Sequence, residues 1–380
     1  MGDGGVGIGG RPAGGAVRHG FQGGLGGLRR VVRVDILSRM STNPEDHRPE
    51  SAAAGTPAVR LHPERAEADG EAGKADPVAR FLHSAILRRW RGLAESVPAA
   101  LDADAEAVHN LRVSSRRLRA VMTVFASHLR SNRAKKVGKA LRKVTRSAGG
   151  AREWDVHGET LARQHAASTR EGERAAIEHM LELVDARRAH EHARMTRRLA
   201  KIDFARLGRS VRWLSEHLVS TATGQALPQA AWSVLEPLVR EALCGMTRLR
   251  ERERADEMHT QRIAVKRLRY AIELLEPAFA DGHARLVARC KQLQEILGRH
   301  HDLVVLDELL SRTLARLSEH GRTTLADGLL APLERLRGER RDQYLEFCGV
   351  TTLLDEESFA DEVRRGLRLP RRVGQSVSGE

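Results

Sequence analysis

The sequence predicts an all-α protein formed from a duplicated helical bundle, and three observations support this fold class. From about residue 76 to residue 348, Leu, Val, Ile and Ala recur at three- and four-residue spacing, without a sustained period of two. A segment near residue 110 returns about 150 residues later. The composition is 41% hydrophobic but only 3% aromatic, so the predicted core is aliphatic. A chain of 380 residues is long enough for one large or two ordinary domains.

The first 75 residues are predicted to be disordered. They are rich in Gly, Ala, Pro and Arg, they show no apolar periodicity, and their 10 basic and 9 acidic side chains nearly cancel. Within this segment, Met40 offers an alternative start of translation. Ordered structure is expected to begin at Asp76 and Pro77, because aspartate is a good helix N-cap and proline suits the first helical position.

The rest of the chain is predicted to consist of antiparallel helices of about 15 to 30 residues. The expected breaks between them fall near Pro98 to Asp104, Ser131-Asn132, Gly149-Gly150, Gly224 to Pro228, Glu276 to Gly282 and Gly298. The first half of the ordered region is expected to cover about 76–224 and the second half about 228–348. Residues 349–380 are expected to contain the end of the last helix and a polar tail.

The strongest internal similarity pairs HNLRVSSRRLR at 109–119 with HTQRIAVKRLR at 259–269. The identical pairs are His109/His259, Arg112/Arg262, Arg117/Arg267, Leu118/Leu268 and Arg119/Arg269. Further on, residues 142–153 resemble residues 291–302 at an offset of 149. Because both similarities occur in the same order, the two halves are interpreted as copies of one helical unit.

Each copy predicts a helix with one cationic face and one apolar face. At 100° per residue, the four cationic positions of each motif fall within roughly an 80° arc. The first stripe consists of His109, Arg112, Arg116 and Arg119, and the second of His259, Arg262, Lys266 and Arg269, with Tyr270 beside them. The third stripe has the same spacing and consists of Lys136, Lys139, Lys143 and Arg146. The opposite faces carry Leu111, Leu118, Met122 and Phe125 in the first helix, and Leu268, Ile272 and Leu275 in the second.

The charge of the chain is concentrated near the first and third stripes. No Asp or Glu occurs between Glu106 and Glu153, whereas residues 109–146 contain 12 Lys and Arg, close to the whole formal charge of +14. Like charges three or four residues apart on a helix destabilise it by about 0.2–0.5 kcal/mol per pair. An unpaired cationic surface of this kind indicates an anionic ligand, and the recurrence of the stripe in both halves favours this interpretation over a merely solvated face.

The histidines that begin the first and second stripes have two interpretations. His109 and His259 are either phosphate ligands, since an imidazole N–H can donate to an oxyanion in either protonation state, or structural residues. The sequence leaves both interpretations open.

These motifs resemble a known family. The two histidine-led stripes, together with KQLQxxLGxxxD at 291–302, are similar to the CHAD domain, the conserved histidine α-helical domain, and the resemblance covers roughly residues 77 to 348. It implies two antiparallel four-helix bundles related by pseudo-twofold symmetry, and binding of inorganic polyphosphate along a basic surface and a central groove or pore. By that resemblance the polyanion is expected to contact His109, Arg112, Arg116, Arg119, Arg142, His259, Arg262, Lys266, Arg269 and Lys291. Tyr270 and the third stripe complete the predicted site.

Other functional classes are less favoured by the sequence. Nucleic-acid binding is an alternative, but the stripes lack interleaved aromatic residues and no helix-turn-helix spacing occurs. Histidine phosphotransfer is a second alternative, because His-x-x-Arg on a helical bundle resembles phosphorelay domains. No paired carboxylates or nucleophile–base pair suggest a catalytic site, so the protein is predicted to be no enzyme and to need neither metal nor cofactor.

The expected compartment follows from cysteine usage and hydropathy. Cys244, Cys290 and Cys348 show no paired spacing, and no segment approaches the ~20 apolar residues that span a bilayer. The sequence therefore predicts a cytoplasmic protein without membrane insertion. The family resemblance adds an association with polyphosphate or polyester storage granules.

Overall fold

The computed structural model describes residues 76–102, 104–218 and 226–370, and all regular structure in these ranges is helical. This confirms the all-α prediction. The expected disorder of residues 1–75 lies outside the described residues. In chain order the helices are α1 (Pro77–Leu101), α2 (Ala105–Val124), α3 (Asn132–Ala167), α4 (Glu171–Ala200), α5 (Phe204–Glu216), α6 (Leu227–Leu243), α7 (Met246–Glu251), α8 (Ala255–Leu274), α9 (His283–Glu319), α10 (Thr323–Thr352) and α11 (Glu356–Gly366).

Short polar side chains fix where several helices begin. The Asp76 carboxylate accepts a hydrogen bond from the backbone N–H of Val78 at 2.9 Å, and Pro77 follows in the first turn, as the sequence predicts. Ser131 caps α3 in the same way, accepting from the N–H of Ala134 at 3.0 Å. Such caps satisfy N–H groups that have no partner within the helix.

Two expected breaks are wrong, because α3 and α9 run through them. Helix α3 contains Gly149-Gly150 and is 36 residues long, and α9 contains Gly298 and is 37 residues long, both longer than expected. A glycine inside a helix costs only about 1 kcal/mol relative to alanine, which tertiary packing easily offsets. The breaks near Ser131-Asn132 and Glu276 to Gly282 are confirmed by the end of α2 and the start of α3, and by the turn between α8 and α9.

The C-terminal region differs from the expected helix end and polar tail. Helix α10 ends at Thr352, and a further helix, α11, follows and packs against α6 and α9. Phe359 and Val363 are the apolar residues that α11 buries. Most residues of α11 are charged, so its helical pattern is weak in the sequence, but two apolar residues four positions apart are enough to anchor one helix face.

The helices follow one another in two series with the same order and the same neighbours. In the first series α1 packs on α2, α2 on α3, α3 on α4, and α5 lies against α1 and α3. In the second series α6, α8, α9, α10 and α11 repeat these contacts one for one. The prediction of two separate pseudo-symmetric bundles stays a prediction, because one large core is drawn from both series.

That shared core lies between α3, α4, α9 and α10. It contains Leu161, Ile177, Met180, Leu306, Leu310, Leu329 and Leu336, each at most 1% exposed. Helices α4 and α10 therefore pack directly on one another. Burial of this aliphatic surface is the main contribution that holds α3 and α9 in place, and these helices in turn position the cationic side chains described next.

Candidate anion-binding site

Helices α2 and α8 contact each other, and their cationic faces meet at that contact. The four central cations of the first two stripes, here called the seam, are Arg112, Arg116, Arg262 and Lys266. The charge of Arg262 acts on both Arg112 and Arg116, and Arg116 and Arg112 act on Lys266. The apolar faces turn inward as predicted, since Leu111, Leu118 and Leu268 are at most 1% exposed.

Burial and mutual repulsion disfavour the charged forms of the seam residues. Burial, followed by the charges of Arg116 and Arg262, lowers the pKa of Arg112 to about 10. Burial and the neighbouring guanidinium groups lower the pKa of Lys266 to about 7, against an ordinary value of 10.5. The Nε atom of Arg112 is buried and has no hydrogen-bond partner. An anion placed here would relieve both the repulsion and the missing hydrogen bond.

Two carboxylates lie near the seam, but neither forms a hydrogen-bonded ion pair with its cations. Asp302 lies 3.9 Å from the Arg262 guanidinium, beyond hydrogen-bonding distance, and burial raises the pKa of its carboxyl. Burial likewise raises the pKa of Glu153, which faces Arg112. Arg112, Arg116 and Lys266 form no ion pair with any residue that the structure describes.

Tyr270 and Arg269 are already engaged with other residues of the chain. Tyr270 is buried and lies near enough to Arg116 of α2 to favour the charged form of that guanidinium. The Arg269 guanidinium donates to Glu273 at 2.6 Å and to Gln294 at 2.9 Å, and stacks over the ring of Tyr270. These two residues line the seam but have partners of their own.

The two stripe histidines occupy different surroundings. His109 lies largely at the surface, and the partial burial of its ring, followed by the charges of Arg152 and Arg112, lowers its pKa. His259 shares a hydrogen bond between its Nδ1 and Nδ1 of His301 at 3.1 Å, so one of these rings donates and the other accepts. Burial and His259 lower the pKa of His301 to about 4, which keeps this ring neutral at physiological pH.

The third stripe lines a cleft that is separate from the seam. This α5 cleft has a volume of about 1050 Å³ and is formed by α3, the end of α4 and the start of α5. Its walls carry all of Lys136, Lys139, Lys143 and Arg146. They also carry cations that sequence reasoning missed, namely Arg133, Arg198, Lys201 and Arg206. None of these four belongs to the repeated motif, and the only sequence signal for the last three is the group of basic residues between the end of α4 and the start of α5.

Two further predicted residues, Arg119 and Arg142, connect the seam with the third stripe. The pKa of Arg119 is lowered by burial and by the charges of Arg142, Arg116 and Arg146, so it lies near both groups. Arg119 and Arg142 line a shallow hollow of about 860 Å³ that also reaches Lys139. Lys291 does not line this hollow; it is exposed and lies 3.8 Å from Glu295 on its own helix.

The described residues contain neither a metal-binding cluster nor a membrane-spanning helix. Among the residues that the structure describes, no group of three or more His, Cys, Asp or Glu side chains could hold a metal ion. No helix within 76–102, 104–218 and 226–370 is both long and apolar enough to cross a bilayer.

Comparison with solved structures shows similarity of fold. The crystal structure of the CHAD domain from the plant Ricinus communis matches with a TM-score of 0.54 and 21% identity, over 82% of this chain and 98% of that chain. PptA from Streptomyces chartreusis matches with a TM-score of 0.51 and 17% identity, over 71% of this chain and 98% of that chain.

Comparison of sequences gives the family. Two uncharacterized proteins from two strains of Mycobacterium tuberculosis are 27% identical over 288 residues, which is 73% of this chain. The chain spans about half the length of these curated relatives, 53% in both cases. The sequence model of the CHAD domain matches residues 84–311. Because that match covers more than half of the sequence and contains both histidine-led motifs, this chain belongs to the CHAD domain family.

Proposed function

We propose that this protein binds inorganic polyphosphate, with the seam as the principal contact and without a chemical reaction of its own. The observation that carries the proposal is the meeting of Arg112 and Arg116 with Arg262 and Lys266 at the contact of α2 and α8. These groups repel one another in the free protein, and three of the four have no acidic partner among the described residues.

A linear polyphosphate suits this arrangement physically. It carries about one negative charge per phosphate at neutral pH, so it can neutralise successive cations along one path. Guanidinium groups donate charge-assisted hydrogen bonds to phosphate oxygens, and binding releases counterions condensed on the polymer. A long chain engages several cations at once, since each further contact after the first is intramolecular. Affinity is therefore expected to rise with chain length and to fall with salt.

The direct test is a binding isotherm with long-chain polyphosphate at two salt concentrations. Replacing Arg112 or Arg262 by Ala is expected to cost about 1–3 kcal/mol of binding free energy, the range for hydrogen bonds to charged groups. Replacing Arg174, an exposed cation of α4 away from the seam, by Ala serves as the matched control. A seam variant that binds as tightly as the wild type contradicts the proposal.

Three further measurements separate the alternatives. Competition by single-stranded DNA at physiological salt, at least as strong as that by polyphosphate, would favour nucleic-acid binding. Acid-labile phosphate on His109 after incubation with a phosphodonor would favour phosphotransfer, and release of orthophosphate from the polymer would indicate an enzyme. We expect neither phosphohistidine nor orthophosphate.

Association with storage granules is the cellular part of the proposal. A protein that binds the polymer is expected to collect where the polymer accumulates. A fluorescent fusion should coincide with a polyphosphate stain, and a fusion carrying Arg112→Ala and Arg262→Ala should be diffuse. Diffuse signal from the unaltered fusion in granule-rich cells would contradict this part alone.

A further inference from the structure

The α5 cleft combines a strong positive charge with an absence of internal neutralisation. Eight Lys and Arg side chains line it, and none of them forms an ion pair in the part of the chain that the structure describes. The one carboxylate in the lining, that of Asp203, is used as the N-cap of α5, where it accepts from the backbone N–H of Arg206 at 2.8 Å. Like Arg112, Arg116 and Lys266 of the seam, the cations of the cleft have no acidic partner among the described residues, although they are exposed to solvent.

The second series of helices has an equivalent place, which can be located from α11. Helices α5 and α11 each begin after a capping aspartate, Asp203 and Asp355, and each packs against the first and the long helix of its own series. Counted from these caps, Ser210 in α5 and Glu362 in α11 both lie seven positions along. Ser210 lines the cleft.

Glu362 closes the equivalent place in the second series. Its side chain is only 9% exposed and accepts from Arg285 at 2.5 Å and from Arg289 at 2.6 Å. The offset of 149 places Arg285 of α9 opposite Lys136 of α3, and the buried pairs Val137/Leu286 and Val144/Leu293 agree with this register. Lys136 in the first series has no acidic partner among the described residues. Its equivalent in the second series, Arg285, is paired with Glu362.

The other positions of the third stripe have also lost their charge in the second series. At the same offset, Lys139, Lys143 and Arg146 correspond to Ala288, Gln292 and Glu295. The equivalent surface of α9 thus keeps a cation at only one of these four positions, Arg285, and gains Arg289 opposite Ala140; both are paired with Glu362. The two series are similar in helix order but differ in charge at this place.

We propose that the α5 cleft is a phosphate-binding site that only the first half possesses, and that it holds a stretch of the polyphosphate chain that leaves the seam past Arg119 and Arg142. The inference rests on the proposed function for the identity of its ligand. It adds Arg198, Lys201 and Arg206 to the binding surface and makes that surface one-sided. Glu362 acts as the built-in substitute for a phosphate group in the second half.

The test places a carboxylate in the cleft at Ser210, the position equivalent to Glu362 in the second series. Ser210→Glu is compared with Ser210→Gln, which has the same size without the charge, in titrations of the full chain with long-chain polyphosphate and with tripolyphosphate. We expect Ser210→Glu to weaken long-chain binding about tenfold, as loss of one charged hydrogen bond does, and Ser210→Gln to leave it near the wild type. Tripolyphosphate bound at the seam should be little affected.

A second variant keeps the proposal falsifiable if Ser210→Glu does not fold. Lys136 and Lys143 are exposed on α3, so Lys136→Gln with Lys143→Gln leaves the core untouched and should weaken long-chain binding at least as strongly. If both cleft variants bind like the wild type while Arg112→Ala weakens binding, the cleft site is refuted and the seam stands. If the wild type binds no polyphosphate, both proposals fail.

Discussion

Arg112 and Arg262 are equivalent residues of the repeated motif, and they face each other across the contact between α2 and α8. Each lies on a helix whose opposite face is buried, so neither can turn away without exposing leucines. The repulsion between them is held in place by the fold. A site of this kind is preorganised for an anion, because the positive groups are gathered before the ligand arrives.

Lys266 should stabilise the complex and destabilise the free protein. In Lys266→Met, one of the repelling charges is lost and the half-buried side chain becomes apolar, so the melting temperature without ligand should rise. Affinity for polyphosphate should fall about tenfold. Thermal unfolding and a binding titration measure both effects, with Arg174→Met as the control. A variant that is less stable and binds normally would contradict the assignment of Lys266 to the seam.

Binding should be linked to proton uptake by Lys266. Its pKa is about 7 in the free protein, and a bound phosphate chain raises it by favouring the charged form. Below pH 7 the amine is charged in both states, so affinity does not depend on its titration. Between pH 7 and the raised pKa, binding takes up a proton and affinity falls as the pH rises.

Calorimetry at pH 8 in two buffers of different ionisation enthalpy measures this uptake. The proton uptake should disappear in Lys266→Arg, which stays charged throughout. Equal uptake by Lys266→Arg and the wild type would assign the proton to another group.

The salt dependence of binding should report how many cations the polymer meets. By analogy with single-stranded nucleic acids, the slope of log K against log salt is about −0.7 for each neutralised charge. Removing Lys136 and Lys143 together should therefore reduce the slope by about 1.4. Removing two exposed cations of α4, Arg174 and Arg187, should leave it unchanged. An unchanged slope in the lysine variant would place the polymer elsewhere.

Two glycines of α10 should respond oppositely to alanine. A Cβ at Gly328 would lie 2.8 Å from Cβ of Ala176 and still closer to the backbone of Gly172, where α4 approaches α10. A Cβ at Gly338 would meet nothing within 4 Å. Gly328→Ala should therefore lower stability by about 1–3 kcal/mol through overpacking, and Gly338→Ala should raise it by up to about 1 kcal/mol. Urea unfolding of both variants distinguishes the two outcomes.

Much of the fold could be predicted from periodicity and capping. The helical class, the cap at Asp76 and the two-faced character of α2 and α8 follow from residue spacing, because a helix fixes which side chains share a face. Gly149-Gly150 and Gly298 were misleading, because local propensity amounts to about 1 kcal/mol and the shared aliphatic core outweighs it. In α11, the two apolar residues are too few to predict a helix from their spacing.

The candidate site was predictable where it repeats and unpredictable where it does not. The residues of the seam could be predicted from the first two stripes, because the identical spacing in both halves shows which cations share a helix face. Their meeting depends on how α2 and α8 pack, which no local pattern specifies. The α5 cleft forms because the end of α4 approaches the start of α3. Arg198 and Lys201 belong to no sequence motif, so their place in the cleft could not be predicted.

The core shared by α3, α4, α9 and α10 has a consequence for how the chain can be divided. A gene fragment that encoded only residues 76–218 would leave half of that aliphatic layer facing solvent, and so would one that encoded only 226–370. Neither fragment is expected to be monomeric, and the two expressed together should find each other.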